Sequence, residues 1–414
     1  MQSIPPTIGP QVMRTVRLLS AKDERRATTL LPLLLAMLLP LSACRRHDFP
    51  QYPADYREYA YVTNGGSNTV TVLDLMNLRQ DREIRVGNSP TGIAANPVKN
   101  EIYAVNTGSN SISVIDAEKN TVAATIPVHG KPYFIDVDAK GERGYVANSG
   151  SNNVSVIDLG RWREIAVVGV GEAPGMARIS ADGRSLVVSN RTSGSVTIID
   201  PQSYKVRSVF DGCTAATHAV ILPDSSKAFI ACSGGHQVMV IGLARPDSPI
   251  ASEHADRLIT FLDVGQTPVH LALKPDGGEI FVSNFDSDTI SEIATQMNEV
   301  GGAYLVGAHP AGAIVSADNS TLWISKFNAD SIEVYSIDDG KRLNTVHVGG
   351  GPDALAFSAE GHLLLATDAR TGDVSVVRVL SRTPSGVNLI GTLFTILPTG
   401  KQPNAIVVKA FRVK

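Results

Sequence analysis

The feature that most constrains this chain is a repeated tetrapeptide, Tyr-Val-Thr-Asn and its variants. Four clear copies each begin about 42 residues after the previous one, at Tyr61, Tyr103, Tyr145 and Val187. Four weaker copies continue the series, and one of the steps between them is longer, at about 52 residues. These copies begin at Phe229, Phe281, Trp323 and Leu365. A period of this length, built from short apolar runs, is typical of repeat architectures in which each unit buries its faces against its neighbours.

Each repeat contains four short runs rich in Val, Ile and Ala, which we label a to d. Run a follows a Pro, run b is the tetrapeptide, run c ends near Asp, and run d ends near a Val-Gly pair such as Val170-Gly171. The runs are almost continuously apolar, which is typical of strands covered on both faces. Pro cannot donate to a β-ladder and therefore belongs at the first residue of a strand. Asn at the end of run b is expected to form the turn, because Asn tolerates the left-handed conformation.

The order of the runs predicts how the fold closes. The chain opens with runs b, c and d and ends with a lone run a at residues 404–408. The last strand is therefore expected to complete the first sheet, which removes a free edge. Seven complete units and one shared unit predict an all-β, eight-bladed β-propeller of four-stranded antiparallel blades. The alternative is seven blades, if the weakest unit, residues 213–264, is not a blade.

The first 44 residues differ from the repeats. Arg25 and Arg26 precede an apolar run at residues 30–41, after which the chain reads Leu-Ser-Ala-Cys and reaches Cys44. A run of about 12 apolar residues is shorter than a membrane-spanning helix and typical of a signal-peptide core. This order resembles a bacterial lipoprotein signal, in which the Cys is lipidated and becomes the mature N-terminus. The alternative is an ordinary signal peptide with a chance Cys, and translation from either Met1 or Met13 fits both.

We therefore predict a signal peptide at residues 1–43, a tether at 44–58 and a β-propeller at 59–414. The expected location is the cell envelope, with a lipid on Cys44 holding the protein to a membrane, either in the periplasm or at the outer membrane or cell surface. The net charge of −3 provides no broad basic surface, so nucleic acid is not an expected partner. We expect a monomer.

The repeated tetrapeptide, together with Val-x-Val-Ile-Asp in run c and Pro-x-x-Ile-Ala in run a, resembles the YVTN-repeat β-propellers of bacterial and archaeal envelopes. The resemblance covers residues 59–411 and is most specific in the first four repeats. Members of this family resemble lactonase-type and haem d1-type propellers in fold. Because the motif marks strands and turns, the resemblance implies a fold more than an activity.

In the propeller layout that this resemblance implies, the starts of the a strands and the b–c turns share one face around a central channel. Small residues fill this face in the first three repeats, whereas large or ionisable residues occupy it in the later ones. Such groups at a channel mouth predict a ligand pocket. The alternative is a solvated surface where the repeat has decayed. The candidate lining residues are Arg191, His218, His270, Phe285, His309, Lys326, Phe327 and Arg370.

No catalytic motif such as Gly-x-Ser-x-Gly or His-Glu-x-x-His is present. His218 and His270 occupy equivalent places in neighbouring repeats but lack an evident third metal ligand. We therefore predict no catalytic residue, no metal site and no cofactor. The leading hypothesis is a non-enzymatic propeller that binds an envelope protein, a glycan or a small molecule. The alternatives are a periplasmic lactonase-type hydrolase and a haem d1-like cofactor-binding propeller.

Two further features fall in the later repeats. Cys213 and Cys232 lie in the same unit, where a disulfide and two buried thiols are both open interpretations. Insertions at residues 244–257 and 381–388 both separate run c from run d. They are expected at the face opposite the candidate pocket, where insertions are tolerated.

Overall fold

The structure is a computed structural model that describes residues 52–382 and 388–413. The predicted signal peptide, Cys44 and most of the predicted tether lie outside these residues. The described chain forms eight separate antiparallel sheets of four strands each. The eight-bladed prediction is therefore confirmed, and the seven-bladed alternative is wrong because residues 213–264 contain a complete sheet.

Each blade contains strands a, b, c and d in that spatial order, and the a strands of neighbouring blades contact each other around the ring. The a strands, for blades 1 to 8 in turn, are β32 (Pro403–Arg412), β4 (Pro90–Ala95), β8 (Pro132–Val137), β12 (Pro174–Ile179), β16 (Ala216–Ile221), β20 (Pro268–Leu273), β24 (Pro310–Val315) and β28 (Pro352–Phe357). The b strands are β1 (Tyr56–Asn64), β5 (Glu101–Asn106), β9 (Arg143–Asn148), β13 (Leu186–Asn190), β17 (Lys227–Cys232), β21 (Glu279–Asn284), β25 (Thr321–Lys326) and β29 (Leu363–Asp368).

The two outer strands complete each blade. The c strands are β2 (Thr69–Asp74), β6 (Ser111–Asp116), β10 (Asn153–Asp158), β14 (Ser195–Asp200), β18 (Gln237–Gly242), β22 (Thr289–Ala294), β26 (Ser331–Ser336) and β30 (Asp373–Arg382). The d strands are β3 (Arg79–Arg85), β7 (Thr121–Pro127), β11 (Arg163–Gly169), β15 (Lys205–Asp211), β19 (Arg257–Asp263), β23 (Glu299–Leu305), β27 (Lys341–His347) and β31 (Asn388–Pro398).

The ring closes as predicted, because the last strand pairs with the first. Strands β32 and β1 are antiparallel partners from Tyr56 opposite Arg412 to Asn64 opposite Pro403. The Thr63 hydroxyl also donates to Asn404 Oδ1 at 2.6 Å. Both chain ends of the propeller therefore lie in blade 1, and β32 covers the edge of β1 that would otherwise be unpaired.

The hydrophobic core is a series of interfaces between blades rather than one central cluster. In the cluster between blades 1 and 2, Tyr61 and Val70 pack against Ile102 and Ile115. In the one between blades 7 and 8, Trp323 packs against Leu364 and its neighbours. The b and c strands are buried on both faces, which explains why their sequences are continuously apolar instead of alternating.

The Asn at the end of each b strand does not form the turn in the predicted way. Asn284 has a φ of −98°, and the left-handed residue follows four positions later, at Asp288, where φ is 56°. The Asn side chain instead donates to hydroxyl groups on strand c. Asn190 Nδ2, for example, lies 3.2 Å from Ser195 Oγ and 2.9 Å from Thr197 Oγ1.

In blades 1, 2, 4 and 6, the Gly that precedes the a strand packs closely on this Asn. A Cβ atom on Gly171 would lie 2.4 Å from Ser193 Oγ and 2.7 Å from Asn190 Cγ. Gly87 and Gly265 face Asn106 and Asn284 in the same way. We call this contact, between the connection that enters a blade and the end of its b strand, the connector contact. It requires Gly because of close approach and not because of positive φ.

In blade 5 the connector contact is a disulfide. Cys213 takes the place of Gly171 and Cys232 takes the place of Asn190, and the two Cα atoms are 4.7 Å apart. Both cysteines are fully buried. The disulfide therefore joins the connection entering blade 5 to strand β17 at a place where other blades rely on packing and hydrogen bonds.

The two insertions lie between strands c and d. Residues 244–257 contain one 3-10 turn, Ala251–Glu253, and Arg207 holds the buried Asp256 through two hydrogen bonds of 2.7 Å. The second insertion extends the hairpin of β30 and β31, and residues 383–387 at its tip lie outside the described residues. Among the described residues, no helix has the length and apolar character needed to cross a bilayer.

Candidate functional site

The propeller has two faces, which differ in the strand connections that they carry. The b–c turns and the d–a connections lie together, as shown by the Arg191 and Thr192 backbone N–H groups, which donate to the Ala173 and Glu172 carbonyls. We call this side the connector face. The a–b and c–d turns lie on the other side, which we call the hairpin face. The channel between the two faces is enclosed by the a strands.

His218 and His270 lie next to each other on the channel wall. They are on β16 and β20, their ring centroids are 4.3 Å apart, and the rings are tilted by 38°. Neither Nδ1 atom has a hydrogen-bond partner, although both atoms are buried. The sequence therefore placed these two residues together correctly.

Both imidazoles are neutral at pH 7. Burial is the main cause, since it disfavours the charged form. It lowers the pKa of His270 to about 4, and the nearby Arg178 guanidinium adds to the effect. Burial likewise moves the pKa of His218 well below its ordinary value, with smaller contributions from His270 and Arg178. A neutral imidazole has one nitrogen that donates and one that accepts, so the pair offers both kinds of hydrogen bond to a ligand.

Arg178 is a channel residue that the sequence analysis missed. Its guanidinium lies 4.8 Å from the centre of the Phe134 ring and 3.5 Å from an Asp136 carboxylate oxygen. The prediction considered only the position two residues after each Pro. Because strand side chains alternate with a period of two, the position four residues after Pro174 faces the channel as well. This alternation is the sequence pattern that could have identified Arg178.

Five of the other candidate residues form aromatic or cationic pairs across neighbouring blades on the connector face. The Arg191 guanidinium lies 5.6 Å from the Tyr133 ring centre, and the Arg370 guanidinium lies 5.4 Å from that of Phe327. Phe285 contacts His309 edge-on at 4.6 Å. Arg370 also forms an ion pair with Asp330 and donates to the Phe327 carbonyl. We call these pairs the rim. Tyr133 was not predicted.

Lys326 is placed apart from the rim. It replaces the Asn of the repeat in blade 7, and its ammonium group lies 3.3 Å from Glu333 in an ion pair in which both side chains are almost fully buried. Glu333 occupies the position of Thr197, the hydroxyl partner of Asn190 in blade 4. Lys326 and Glu333 therefore replace a neutral hydrogen bond of the repeat with a charged one.

Asp353 is an acidic group near the start of β28. It follows Pro352, so it occupies the position of Tyr133 in another blade. Burial raises the pKa of its carboxyl group. No group of three or more His, Cys, Asp or Glu residues suited to a metal ion occurs in the part of the chain that the structure describes.

Comparison with protein families gives one match that covers more than half of the chain. The model of a family described as a YNCE-like beta-propeller matches residues 140–383. A search of curated proteins returned no match.

Solved structures share the fold at low sequence identity. The dihydro-heme d1 dehydrogenase NirN, in complex with DHE, aligns with a TM-score of 0.67 and 15% identity over 89% of this chain and 78% of that one. A candidate 6-phosphogluconolactonase from Bacteroides uniformis aligns with a TM-score of 0.57 and 15% identity, over 86% and 100% of the two chains. The hydrazine synthase of Kuenenia stuttgartiensis aligns with a TM-score of 0.53 and 19% identity, over 77% and 91%. At these identities the likeness concerns the fold alone.

Proposed function

This chain belongs to the YNCE-like β-propeller family, and from that premise we propose that it is a binding protein for a small, planar, anionic molecule held at the connector face. The family resemblance predicted from the tetrapeptide repeat is confirmed by the match. The proposal narrows the earlier choice among an envelope protein, a glycan and a small molecule, on the basis of the side chains that surround the channel.

The observation that carries the proposal is the contact between His218 and His270. Each imidazole has a buried Nδ1 atom without a partner, and leaving a buried polar atom unpaired costs roughly 1–3 kcal/mol. A ligand that presents hydrogen-bonding groups to this wall would recover part of that cost. Unpaired buried polar atoms are rare in folded proteins, so two of them on neighbouring rings support a binding role for this wall.

The rim supports a planar and negatively charged ligand. Phe285 and Phe327 offer ring faces or edges for stacking, while Arg191 and Arg370 offer guanidinium groups that suit carboxylate or phosphate. Binding is favoured over catalysis because the two imidazoles contact each other and lie near Arg178. An acid–base catalyst would instead be oriented by a carboxylate.

The test uses protoporphyrin IX, a planar dicarboxylate without a metal. We expect it to bind the wild-type protein in a fluorescence titration and to bind the His218→Ala/His270→Ala variant at least about tenfold more weakly, the equivalent of about 1.4 kcal/mol. His254→Ala, in the insertion on the hairpin face, is the matched control and should bind normally. Equal affinity in the double variant, or no binding to the wild type, would refute the proposal.

A second candidate is a tetrapyrrole cofactor, as in the haem d1-like alternative. What supports it is that imidazole is a common axial ligand of haem iron and that both channel imidazoles have an unpartnered nitrogen. Hemin should then shift its main absorption band on binding, and either His218→Ala or His270→Ala should abolish the shift while protoporphyrin IX still binds that variant. A band that shifts in both variants as it does in the wild type would exclude this candidate. The lactonase alternative stays a prediction, to be checked by measuring lactone hydrolysis.

We also propose that the protein is held to a membrane of the cell envelope through a lipid on Cys44. The order of Arg25, Arg26, the apolar run and the Cys supports this attachment. Cys44→Ser should move the protein from the membrane fraction to the soluble fraction while the propeller stays folded. If the variant remains in the membrane fraction, the anchor is not at Cys44.

A further inference from the structure

A cavity opens on the hairpin face, at the end of the channel away from the rim. Its volume is about 430 Å³, within the usual range for small-molecule sites. Neither imidazole of the channel pair and no rim residue lines it. Its walls come from the ends of the a strands of blades 2 to 6 and from the a–b turns that follow.

Asp136 and Arg178 are the charged residues that line this cavity. Their roles differ. The Asp136 carboxylate accepts hydrogen bonds from the backbone N–H groups of Val137 and Ile179, both at 3.1 Å. It therefore ties blade 3 to blade 4 and has little capacity left for a ligand.

Arg178 keeps its donors available. Its side chain is 34% exposed, it forms one ion pair with an Asp136 carboxylate oxygen at 3.5 Å, and its guanidinium rests on the Phe134 ring. It donates no hydrogen bond to another residue of the described chain. A guanidinium fixed by ring stacking, with free N–H groups towards a cavity, is suited to bidentate binding of a carboxylate.

The rest of the lining is mostly apolar. Ile179, Val220 and Leu222 stand beside Arg178, and Leu273 completes the wall on the side of blade 6. Ser180 contributes a hydroxyl group, but this group donates to Asp182 at 2.6 Å and accepts from nearby backbone N–H groups. A ligand therefore meets one strong donor and an apolar surface.

We propose that this cavity binds a small monocarboxylate with an apolar body, which enters from the hairpin face. The carboxylate pairs with Arg178, and the apolar body lies against Ile179, Val220 and Leu222. A sugar or another polyol would leave most of its hydroxyl groups unpaired against these side chains, at a cost to binding. The site goes beyond the proposed function, since its ligand enters from the opposite face and needs neither the rim nor the imidazoles.

The test is calorimetric titration of the full chain with octanoate, with 1-octanol as the neutral analogue. Octanoate should bind the wild type, and 1-octanol should bind at least about tenfold more weakly, because it lacks the charge-assisted pair with Arg178. Arg178→Gln should weaken octanoate binding by a similar factor. Ala181→Trp, which fills the mouth from an exposed position and keeps Arg178, should also weaken it.

The control variant is Arg191→Gln, which removes an arginine from the rim on the other face and should bind octanoate normally. The proposal fails if the wild type does not bind octanoate, or if both Arg178→Gln and Ala181→Trp bind it as the wild type does. It also fails if binding is lost in Arg191→Gln or in His218→Ala/His270→Ala, because the ligand would then occupy the connector face. Protoporphyrin IX binding to Ala181→Trp, measured in parallel, shows whether the connector-face site is independent.

Discussion

At the scale of single residues, the contact between Gly171 and Asn190 shows what the repeat conserves within this chain. The Gly brings the connecting backbone against the Asn side chain, and the Asn amide holds strand c through Ser195 and Thr197. Space for this approach exists only without a Cβ atom, so the two residues work as a pair. The same pairing recurs between Gly87 and Asn106.

Gly171→Ala should therefore destabilise the propeller, while Gly169→Ala should not. The added methyl group at residue 171 would meet Asn190 and Ser193 closer than van der Waals contact, whereas at residue 169 it meets nothing within 4 Å. We expect a loss of about 1–3 kcal/mol for the first variant and less than about 0.5 kcal/mol for the second. Thermal unfolding of both variants measures the difference, and equal melting temperatures would contradict the account.

The channel imidazoles predict how stability changes with pH. Their pKa values in the folded protein lie below the ordinary value of 6.5, so below pH 6.5 protons bind the unfolded chain more strongly. The free energy of unfolding is therefore not reduced by these two residues above about pH 7. It falls as pH drops towards 4, because the unfolded chain then gains protons that the folded protein does not bind. The loss for His270 is on the order of 3 kcal/mol.

The measurement is the melting temperature between pH 7.5 and pH 4. As pH is lowered, the melting temperature of the wild type should fall more steeply than that of His218→Ala/His270→Ala. The melting temperature of His254→Ala should change as that of the wild type does. Parallel curves for the wild type and the double variant would mean that the two imidazoles titrate normally.

At the scale of elements, the connector contact explains both the repeat and its exceptions. Cys213 and Cys232 are separated by 19 residues, the same separation as Gly171 and Asn190, because they occupy the same structural positions. The position within the repeat, compared across blades, would have predicted their pairing. The sequence analysis placed one cysteine in the d–a connection and the other at the end of run b of the same unit, on the same face, but did not compare these positions with the other blades.

Removing this disulfide should destabilise blade 5. For a closed loop of this length, the loss of chain constraint in the unfolded state is about 3 kcal/mol. Cys213→Ala/Cys232→Ala should therefore melt several degrees below the wild type. A reducing agent should lower the melting temperature of the wild type towards that of the variant and leave the melting temperature of the variant unchanged. A variant as stable as the wild type would show that packing alone holds this connection.

At the scale of the whole molecule, the blade count, the strand order and the ring closure followed from the sequence because they depend on periodicity and on the position of one lone strand. The site was predictable only in part. His218 and His270 were found because they occupy equivalent repeat positions, but Arg178 lies two residues further along the strand. The burial of Lys326 depended on a partner, Glu333, that only the folded blade identifies.

The specialised features of the molecule are distributed unevenly around the ring. Blades 1 to 4 and blade 6 keep the Asn of the connector contact, whereas blade 5 has a disulfide, blade 7 an ion pair, and blade 8 an Asp in its place. In blade 8, burial and the neighbouring Asp373 raise the pKa of Asp368. The channel imidazoles belong to blades 5 and 6, so one of them lies in the blade where a disulfide replaces the Gly–Asn contact.

The central claim is that the channel imidazoles of His218 and His270 are the ligand-binding groups. Nitrogen-15 spectra of the histidine side chains, assigned with the two single alanine variants, test it most directly. At pH 7 both imidazoles should show neutral-form shifts, and protoporphyrin IX should shift their signals while those of His254 and His362 on the hairpin face stay in place. If the ligand binds and the His218 and His270 signals do not move, the ligand-binding site lies elsewhere and the claim is wrong.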